Sequence, residues 1–198
     1  MNQITTTTYK THNIPVKAMC QSTLGIRKHL NNDKAITIDY KGFRENMRLA
    51  VFKVNQLLRN ELFFNQLRKL RPFDMADISP THIADLMENA SIKMTIDLYY
   101  SLSPFNDAYG YDNLRNPNVI PMNVWQLERP IASLCNTMVH ACVHAVNAYA
   151  PQYFFGHDDS IDVEHTAPYQ IGCLAQQFIS GDDTVFEYMR HEEYIAID

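Results

Sequence analysis

The segment that most restricts the fold is the apolar run IASLCNTMVHACVHAVNAYA, which begins after Pro130 and is ended by Pro151. Its apolar residues recur at the three- and four-residue spacing of an α-helix and cover one broad face. A helix with so wide an apolar surface is stable when other elements cover it. The run therefore predicts a buried helix around which the rest of the chain packs, and it carries two histidines, His140 and His144.

Two strands are predicted just before this helix. The segment IKMTIDL alternates apolar and polar side chains from Ile92 to Leu98, which is the period of a half-buried strand. A stretch rich in Pro, Asn, Asp and Gly follows, and after it VIPMNVWQL predicts a second strand. Because Pro121 cannot donate a ladder hydrogen bond, this second strand is expected at a sheet edge or at a bulge.

Three further helices are predicted. A long amphipathic helix should begin after Gly42 and continue until Pro72. Ser79 and Thr81 are candidate caps for a short helix, and Thr166 is the candidate N-cap of a helix in TAPYQIGCLAQQFIS. The order of helices and strands predicts an α+β fold with a small sheet.

Length and charge restrict the organisation and the partners. The chain has 198 residues, which suits one domain with its own core. Residues 1–14 predict a polar N-terminal arm, and residues 15–198 a single domain. A net charge of -5 argues against nucleic acid or an anionic membrane as the main partner, since either favours a basic surface. No apolar run reaches the length of a membrane-spanning helix. The oligomeric state is left open.

The cysteines bear on the compartment. They are scattered, form no CxxC pair and read as buried free thiols: Cys20, Cys135, Cys142 and Cys173. Free thiols fit a reducing compartment, and MNQITTTTYKTHN lacks the features of a secretion signal. The expected location is the cytoplasm, or export without a Sec signal into a host or rival cell.

Three features favour a metal site. Helical residues four positions apart lie on one face, so His140 and His144 can present two imidazole nitrogens to one ion. Histidines in so apolar a helix also need polar partners, which the neighbouring sequence does not supply. Further along, ligand-type side chains are crowded together at His157, Asp158, Asp159, Asp162, Glu164 and His165. The alternative is a metal-free helical interaction protein in which the histidines simply pack.

The stretch NTMVHACVHAVNAYAPQYFFGHDD resembles the active-site helix and following loop of HExxH-type zinc metallopeptidases, the zincins, within roughly residues 118–172. His140 and His144 occupy the two histidine positions. The resemblance implies a zincin-like domain with Zn²⁺ that hydrolyses a peptide bond in a protein substrate. In zincins a sheet edge before the helix binds extended peptide, and the strand containing Met122, Asn123 and Val124 looks like that edge.

The resemblance leaves two main candidates for the third zinc ligand. His157 follows a Gly-led aromatic loop, similar to the arrangement in SprT-like peptidases, and is favoured because FFG can turn the chain back towards the helix. Glu164 has a spacing like that of the gluzincins, although Pro168 interrupts the pattern that usually follows their third ligand. Glu164 is also interpreted as a carboxylate stabilised by a helix N-terminus. Asp158 is a further alternative ligand. If Asp158, Asp159 and Asp162 do not bind the metal, they are interpreted as solvated side chains of the loop, or one of them as a partner that orients a ligand histidine.

The departure from the family is Ala141, which stands where zincins have the glutamate that moves protons during hydrolysis. Three explanations are open: an engineered glutamate-to-alanine substitution, a natural pseudo-peptidase that keeps the metal and binds peptide, or a chance likeness. The first is favoured, since alanine leaves both histidines and the helix intact.

Tyr169 is a candidate oxyanion stabiliser, as Tyr or His is in several zincins, or else a buried aromatic beneath the site. Cys142 points away from the histidine face and reads as a core residue.

Overall fold

The structure, a computed structural model, describes residues 35–102, 116–157 and 163–181. The α+β prediction is confirmed for these ranges, which contain five α-helices and one three-stranded sheet. In chain order the elements are β1 (Thr37–Asp39), α1 (Glu45–Leu57), α2 (Glu61–Leu67), α3 (Pro80–Asn89), β2 (Lys93–Tyr99), β3 (Val119–Asn123), α4 (Ile131–Tyr149) and α5 (Ala167–Ser180). The predicted polar arm, residues 1–14, lies outside the described residues.

The sheet is parallel throughout, in the order β1-β2-β3. Both predicted strands are present as β2 and β3, and β2 shows the expected alternation, with Met94 buried between exposed Lys93 and Thr95. The sequence interpretation did not include β1, which is only three residues long. Its outer edge is covered by Asn55 of α1, whose side chain accepts from the Ile38 N–H and donates to the Ile38 carbonyl, both at 2.8 Å.

The second predicted strand lies at a sheet edge, as Pro121 indicated. The Thr95 N–H donates to the carbonyl of Asn118 at 2.8 Å, and Thr95 pairs with Val119. In a parallel ladder, the N–H and C=O groups of every second residue of β3 point towards β2. In this register the residues between them, Val119, Pro121 and Asn123, turn their main-chain groups away from β2. Pro121 therefore stands at a position where β2 requires no N–H from it.

The prediction of one long helix up to Pro72 is wrong, because α1 ends at Leu57 and α2 begins at Glu61. Asn60 lies between them in an extended conformation, and its side-chain oxygen accepts from the Leu62 N–H at 2.8 Å. An asparagine that caps a new helix in this way ends the previous one, although the apolar spacing continues across the break.

The two predicted helix starts are present. Ser79 precedes α3 and its hydroxyl accepts from the His82 N–H at 3.2 Å, with Pro80 as the first helical residue. Thr166 precedes α5, but its hydroxyl donates to the Val163 carbonyl at 2.7 Å and does not cap the helix.

The buried helix predicted after Pro130 is α4, which packs mainly on α5 and on α1. The contact with α5 is close where Gly172 faces Asn136, whose side-chain N–H donates to Gln176 at 2.9 Å. Cys135, Cys142 and Cys173 are buried free thiols, as predicted, and Cys20 lies outside the described residues. Within the described ranges, no helix has both the length and the apolarity needed to cross a bilayer.

Candidate metal centre

Three histidines converge at one point beside α4. His140 and His144 lie one turn apart on the helix, and His157 reaches them from the loop that follows it. The Nε2 atom of His144 lies 3.1 Å from Nε2 of His140 and 3.1 Å from Nε2 of His157. The third side of the triangle, from His157 to His140, measures 3.3 Å. These three nitrogens are close enough together to hold one metal ion.

The triangle fits a metal ion better than it fits a metal-free hydrogen-bond network. A hydrogen bond between two imidazole nitrogens needs one nitrogen that carries the proton and one that accepts it. Three nitrogens in a triangle cannot meet this requirement in every pair, because at least two of them share a protonation state. Zinc at about 2.0–2.1 Å from each nitrogen, with tetrahedral angles, separates its ligand nitrogens by about 3.3 Å. The observed separations are within a few tenths of an ångström of that value.

Burial prepares the two helical histidines to bind a cation. Desolvation and, to a smaller extent, the nearby His157 together lower the pKa of His144 to about 3. Desolvation also holds the pKa of His140 well below its ordinary value, with smaller contributions from His144 and His157. Both imidazoles are therefore neutral at physiological pH, and a neutral imidazole has the free lone pair that a metal requires.

The loop that carries His157 is fastened to α4 by Asn147. The Asn147 side chain donates to the Tyr153 carbonyl at 2.7 Å and accepts from the Phe155 N–H at 3.2 Å. Gly156 then passes so close to α4 that an added Cβ would lie 3.2 Å from Asn147 Oδ1 and 3.7 Å from His144 Nδ1. The sequence interpretation did not include Asn147, although its position, three residues after His144, puts it on the histidine face of the helix.

A second attachment holds the same loop from the other side. Asp77, in the connection between α2 and α3, donates its N–H to the Phe154 carbonyl at 2.9 Å, and its carboxylate accepts from the Phe154 N–H at 3.0 Å. The Asp74 N–H also donates to the carbonyl of His165 at 3.1 Å. The α2–α3 connection therefore binds the chain both before residue 158 and after residue 162.

Of the alternative third ligands, Glu164 does not belong to the histidine group, and Asp158 lies outside the described residues. Glu164 lies in a 3₁₀ turn, Val163–His165, and its carbonyl accepts from Gln170 at 2.6 Å. Among the described residues, the group that can share one ion consists of His140, His144 and His157 alone. The remaining acids of the cluster lie outside the described residues: Asp158, Asp159 and Asp162.

Tyr169 of α5 lies against two of the three histidines. Its ring centroid is 4.6 Å from that of His140, edge to face, and 5.1 Å from that of His157. The structure therefore places this candidate residue beside the three histidines. Cys142 is fully buried, and desolvation raises the pKa of its thiol to about 12, in keeping with a core residue.

Ala141 continues the helix beside His140 and is half-buried at the margin of the core. Among the described residues, no carboxylate belongs to the group that can share an ion with the three histidines. The described residues therefore offer three imidazole nitrogens to an ion, and Ala141 itself supplies no group that can move protons.

The strand expected to bind peptide is buried from Ile120 to Asn123. Met122 and Asn123 have fully buried side chains, and Val124 begins a 3₁₀ turn, Val124–Gln126. The Asn123 side chain accepts from the Trp125 N–H at 3.2 Å. Of these three residues, Asn123 is the one in β3 whose main-chain groups point away from β2.

Searches of protein-family models, of curated proteins and of solved structures returned no match to the chain.

Proposed function

We propose that the protein binds one Zn²⁺ ion through His140, His144 and His157, in a centre of the zincin type that lacks its general base at Ala141. The observation that carries this proposal is the triangle of Nε2 atoms, 3.1, 3.1 and 3.3 Å on its sides. Three imidazoles at these separations leave a fourth tetrahedral position for water or substrate, as in catalytic zinc sites.

The chemistry follows from what each group supplies. Bound zinc would lower the pKa of a water molecule and polarise a peptide carbonyl. The three histidines would hold the ion, and Tyr169 packs beside two of them, where a phenol can stabilise developing negative charge. Ala141 has no group that can take or deliver a proton. With Ala141, the proposed peptidase centre has no activity, and a glutamate at position 141 would complete it.

The proposed substrate is a protein segment in extended form. Pairing with the outer edge of β3 would begin at Val119, the residue of β3 that is not buried, and β3 would have to lose the cover over Pro121 and Asn123 for the pairing to extend further. The buried free thiols Cys135, Cys142 and Cys173 suit action in a reducing compartment, including that of a cell into which the protein is delivered.

The second candidate is a non-catalytic module that keeps the metal and binds peptide. Ala141 favours it directly, since a protein that only binds its target needs no proton-transfer group. The two candidates share the zinc site and differ in whether the glutamate variant gains activity.

Zinc content tests the shared part. Purified protein should hold about one zinc per chain, and His144→Ala should hold none. His165→Gln is the matched control, because His165 is a half-buried histidine of the same region that lies outside the triangle. Absence of zinc from the unsubstituted protein, or equal content in His144→Ala, would contradict the proposal.

Ala141→Glu separates the two candidates. Incubated with zinc and a panel of unfolded proteins, this variant should cleave at least one of them, and a chelator should stop the cleavage. A variant that holds zinc but cleaves nothing on the panel supports the binding module.

A further inference from the structure

His157 differs from the other two histidines in how it is held. His140 and His144 are fixed by a long buried helix, whereas His157 ends the described stretch 150–157, which has no regular secondary structure. Ligand histidines in metal sites are usually oriented by a hydrogen bond on the other ring nitrogen. The Nδ1 atom of His157 is buried and finds no hydrogen-bond partner among the described residues. Within the described part of the chain, its position therefore depends on the main chain that carries it.

The main chain before His157 is held most directly by Asn147. One side-chain amide makes two hydrogen bonds, one to the Tyr153 carbonyl and one from the Phe155 N–H, much as a neighbouring strand would. Asn147 lies three residues after His144, so the same helical face supplies two ligands and the attachment point of the third. Gly156, between the attachment and His157, approaches both Asn147 and His144.

We propose that Asn147 is the positioning residue of the third ligand: its amide fastens residues 153–155 to α4 and thereby sets His157 against His140 and His144. The inference rests on the proposed zinc site and adds the residue that preorganises it. A ligand already in place loses little conformational freedom when the ion binds, so the attachment contributes to affinity and not only to the stability of the loop.

Asn55 provides a matched control within the same chain. Like Asn147 it is a half-buried helical asparagine whose amide makes two main-chain hydrogen bonds, in its case both to Ile38 of β1. Asn55→Ala and Asn147→Ala therefore remove the same chemical group and the same number of hydrogen bonds. If Asn147 serves only fold stability, the two substitutions should act alike on every measurement.

The test measures Zn²⁺ affinity by competition with a chromophoric chelator, using the full chain and both variants. Asn147→Ala should weaken Zn²⁺ binding by about 10- to 100-fold, the range typical of residues that orient metal ligands. Asn55→Ala should leave the affinity unchanged, while both variants lower the melting temperature of the metal-free protein. In Asn147→Ala the visible absorption of bound Co²⁺ should also lose intensity, because a loosely held ligand no longer enforces tetrahedral geometry.

Each outcome decides between specific alternatives. Equal Zn²⁺ affinity in Asn147→Ala and the unsubstituted protein overturns the positioning role and leaves the zinc site standing. An equal loss in Asn55→Ala also overturns it, since the effect then comes from general destabilisation. If the unsubstituted protein binds no Zn²⁺, the proposed function itself fails.

Should Asn147→Ala not fold, Gly156→Ala takes its place, because the added Cβ would press on Asn147 Oδ1 from 3.2 Å. Weaker Zn²⁺ binding then supports the proposal, and unchanged binding overturns it.

Discussion

The Nε2 atoms of His144 and His157 lie 3.1 Å apart, although the two residues are separated by thirteen positions in the chain. Helical geometry accounts for the approach of His140 to His144, but not for that of His157. The second approach depends on a loop that is attached to α4 through Asn147 and to the α2–α3 connection through Asp77. The pairing of His140 with His144 is therefore local, whereas the approach of His157 to this pair exists only in the folded protein.

Lowering the pH from 7.5 to 5 should reduce the stability of the metal-free protein. In the fold the pKa of His144 is lowered to about 3 and that of His140 is also lowered, whereas an unfolded histidine titrates near 6.5. Below about pH 6.5 the unfolded chain therefore binds protons that the folded chain does not, and stability falls as the pH falls. Urea unfolding of chelator-treated protein between pH 7.5 and 5 measures this loss. The slope should flatten in a His140→Gln, His144→Gln double variant, and an unchanged slope there would show that other groups cause it.

Tyr169 should support the metal centre through its ring. It contacts His140 and His157 edge to face or tilted, and such ring pairs contribute about 0.5–1.5 kcal/mol beyond buried area. Tyr169→Ala should weaken Zn²⁺ binding by about 2- to 10-fold, and Tyr169→Phe should bind as the unsubstituted protein does. A chelator competition assay measures both.

Phe178 gives the control for this substitution, because it also lies on α5 but its ring contacts Phe63, 5.6 Å away, in the core. Phe178→Ala should lower stability and leave Zn²⁺ affinity unchanged. Equal binding by Tyr169→Ala and Tyr169→Phe would mean that the ring plays no part in holding the ligands.

The break between α1 and α2 should depend on Asn60. Its side chain accepts from the Leu62 N–H, so Asn60→Ala should cost about 1 kcal/mol of unfolding free energy. Asn60→Ser keeps a hydroxyl that can cap the helix and should recover most of the loss. Chemical denaturation of the three proteins checks the order, and an Asn60→Ala variant as stable as Asn60→Ser would argue that the cap contributes nothing.

The sequence was sufficient where a pattern within one segment determines the structure. Alternation identified β2, Pro121 indicated an edge strand, and the apolar run after Pro130 identified α4 and its two histidines. These features depend on neighbours in the chain, so they can be inferred without tertiary contacts. The spacing of apolar residues failed at Asn60, because a cap interrupts a helix without changing the apolar period.

The rest of the centre required the fold. His157 was the favoured third ligand because a loop could return it to α4, but nothing local to the loop fixes where it ends. Asn147 lies 6 and 8 positions from the two residues that it binds, and Asp77 lies 77 positions from Phe154. Asparagine and aspartate occur in so many structural roles that residue type alone does not predict that these two hold the loop of His157.

Because α4 packs closely on α5 at Gly172, replacing this glycine by alanine should destabilise the protein. Replacing a helical glycine by alanine normally stabilises a helix by about 1 kcal/mol. At Gly172 the new Cβ would lie 2.3 Å from Asn136 Oδ1 and 3.3 Å from the Asn136 carbonyl oxygen, so the helices must separate or the buried amide must move. Gly172→Ala should therefore lower the unfolding free energy by about 1–3 kcal/mol, as overpacked cores do.

A double-mutant cycle identifies the cause. Asn136→Ala removes the amide that obstructs the Cβ, at the cost of its hydrogen bond to Gln176. In that background Gly172→Ala should be neutral or stabilising, so the two changes should not be additive. Urea denaturation of the four proteins measures the coupling, and strictly additive effects would mean that the contact between Asn136 and Gly172 does not limit the approach of the helices. Because Tyr169 lies one turn before Gly172 on α5, separation of the helices should also weaken Zn²⁺ binding in Gly172→Ala, and the Asn136→Ala background should restore it.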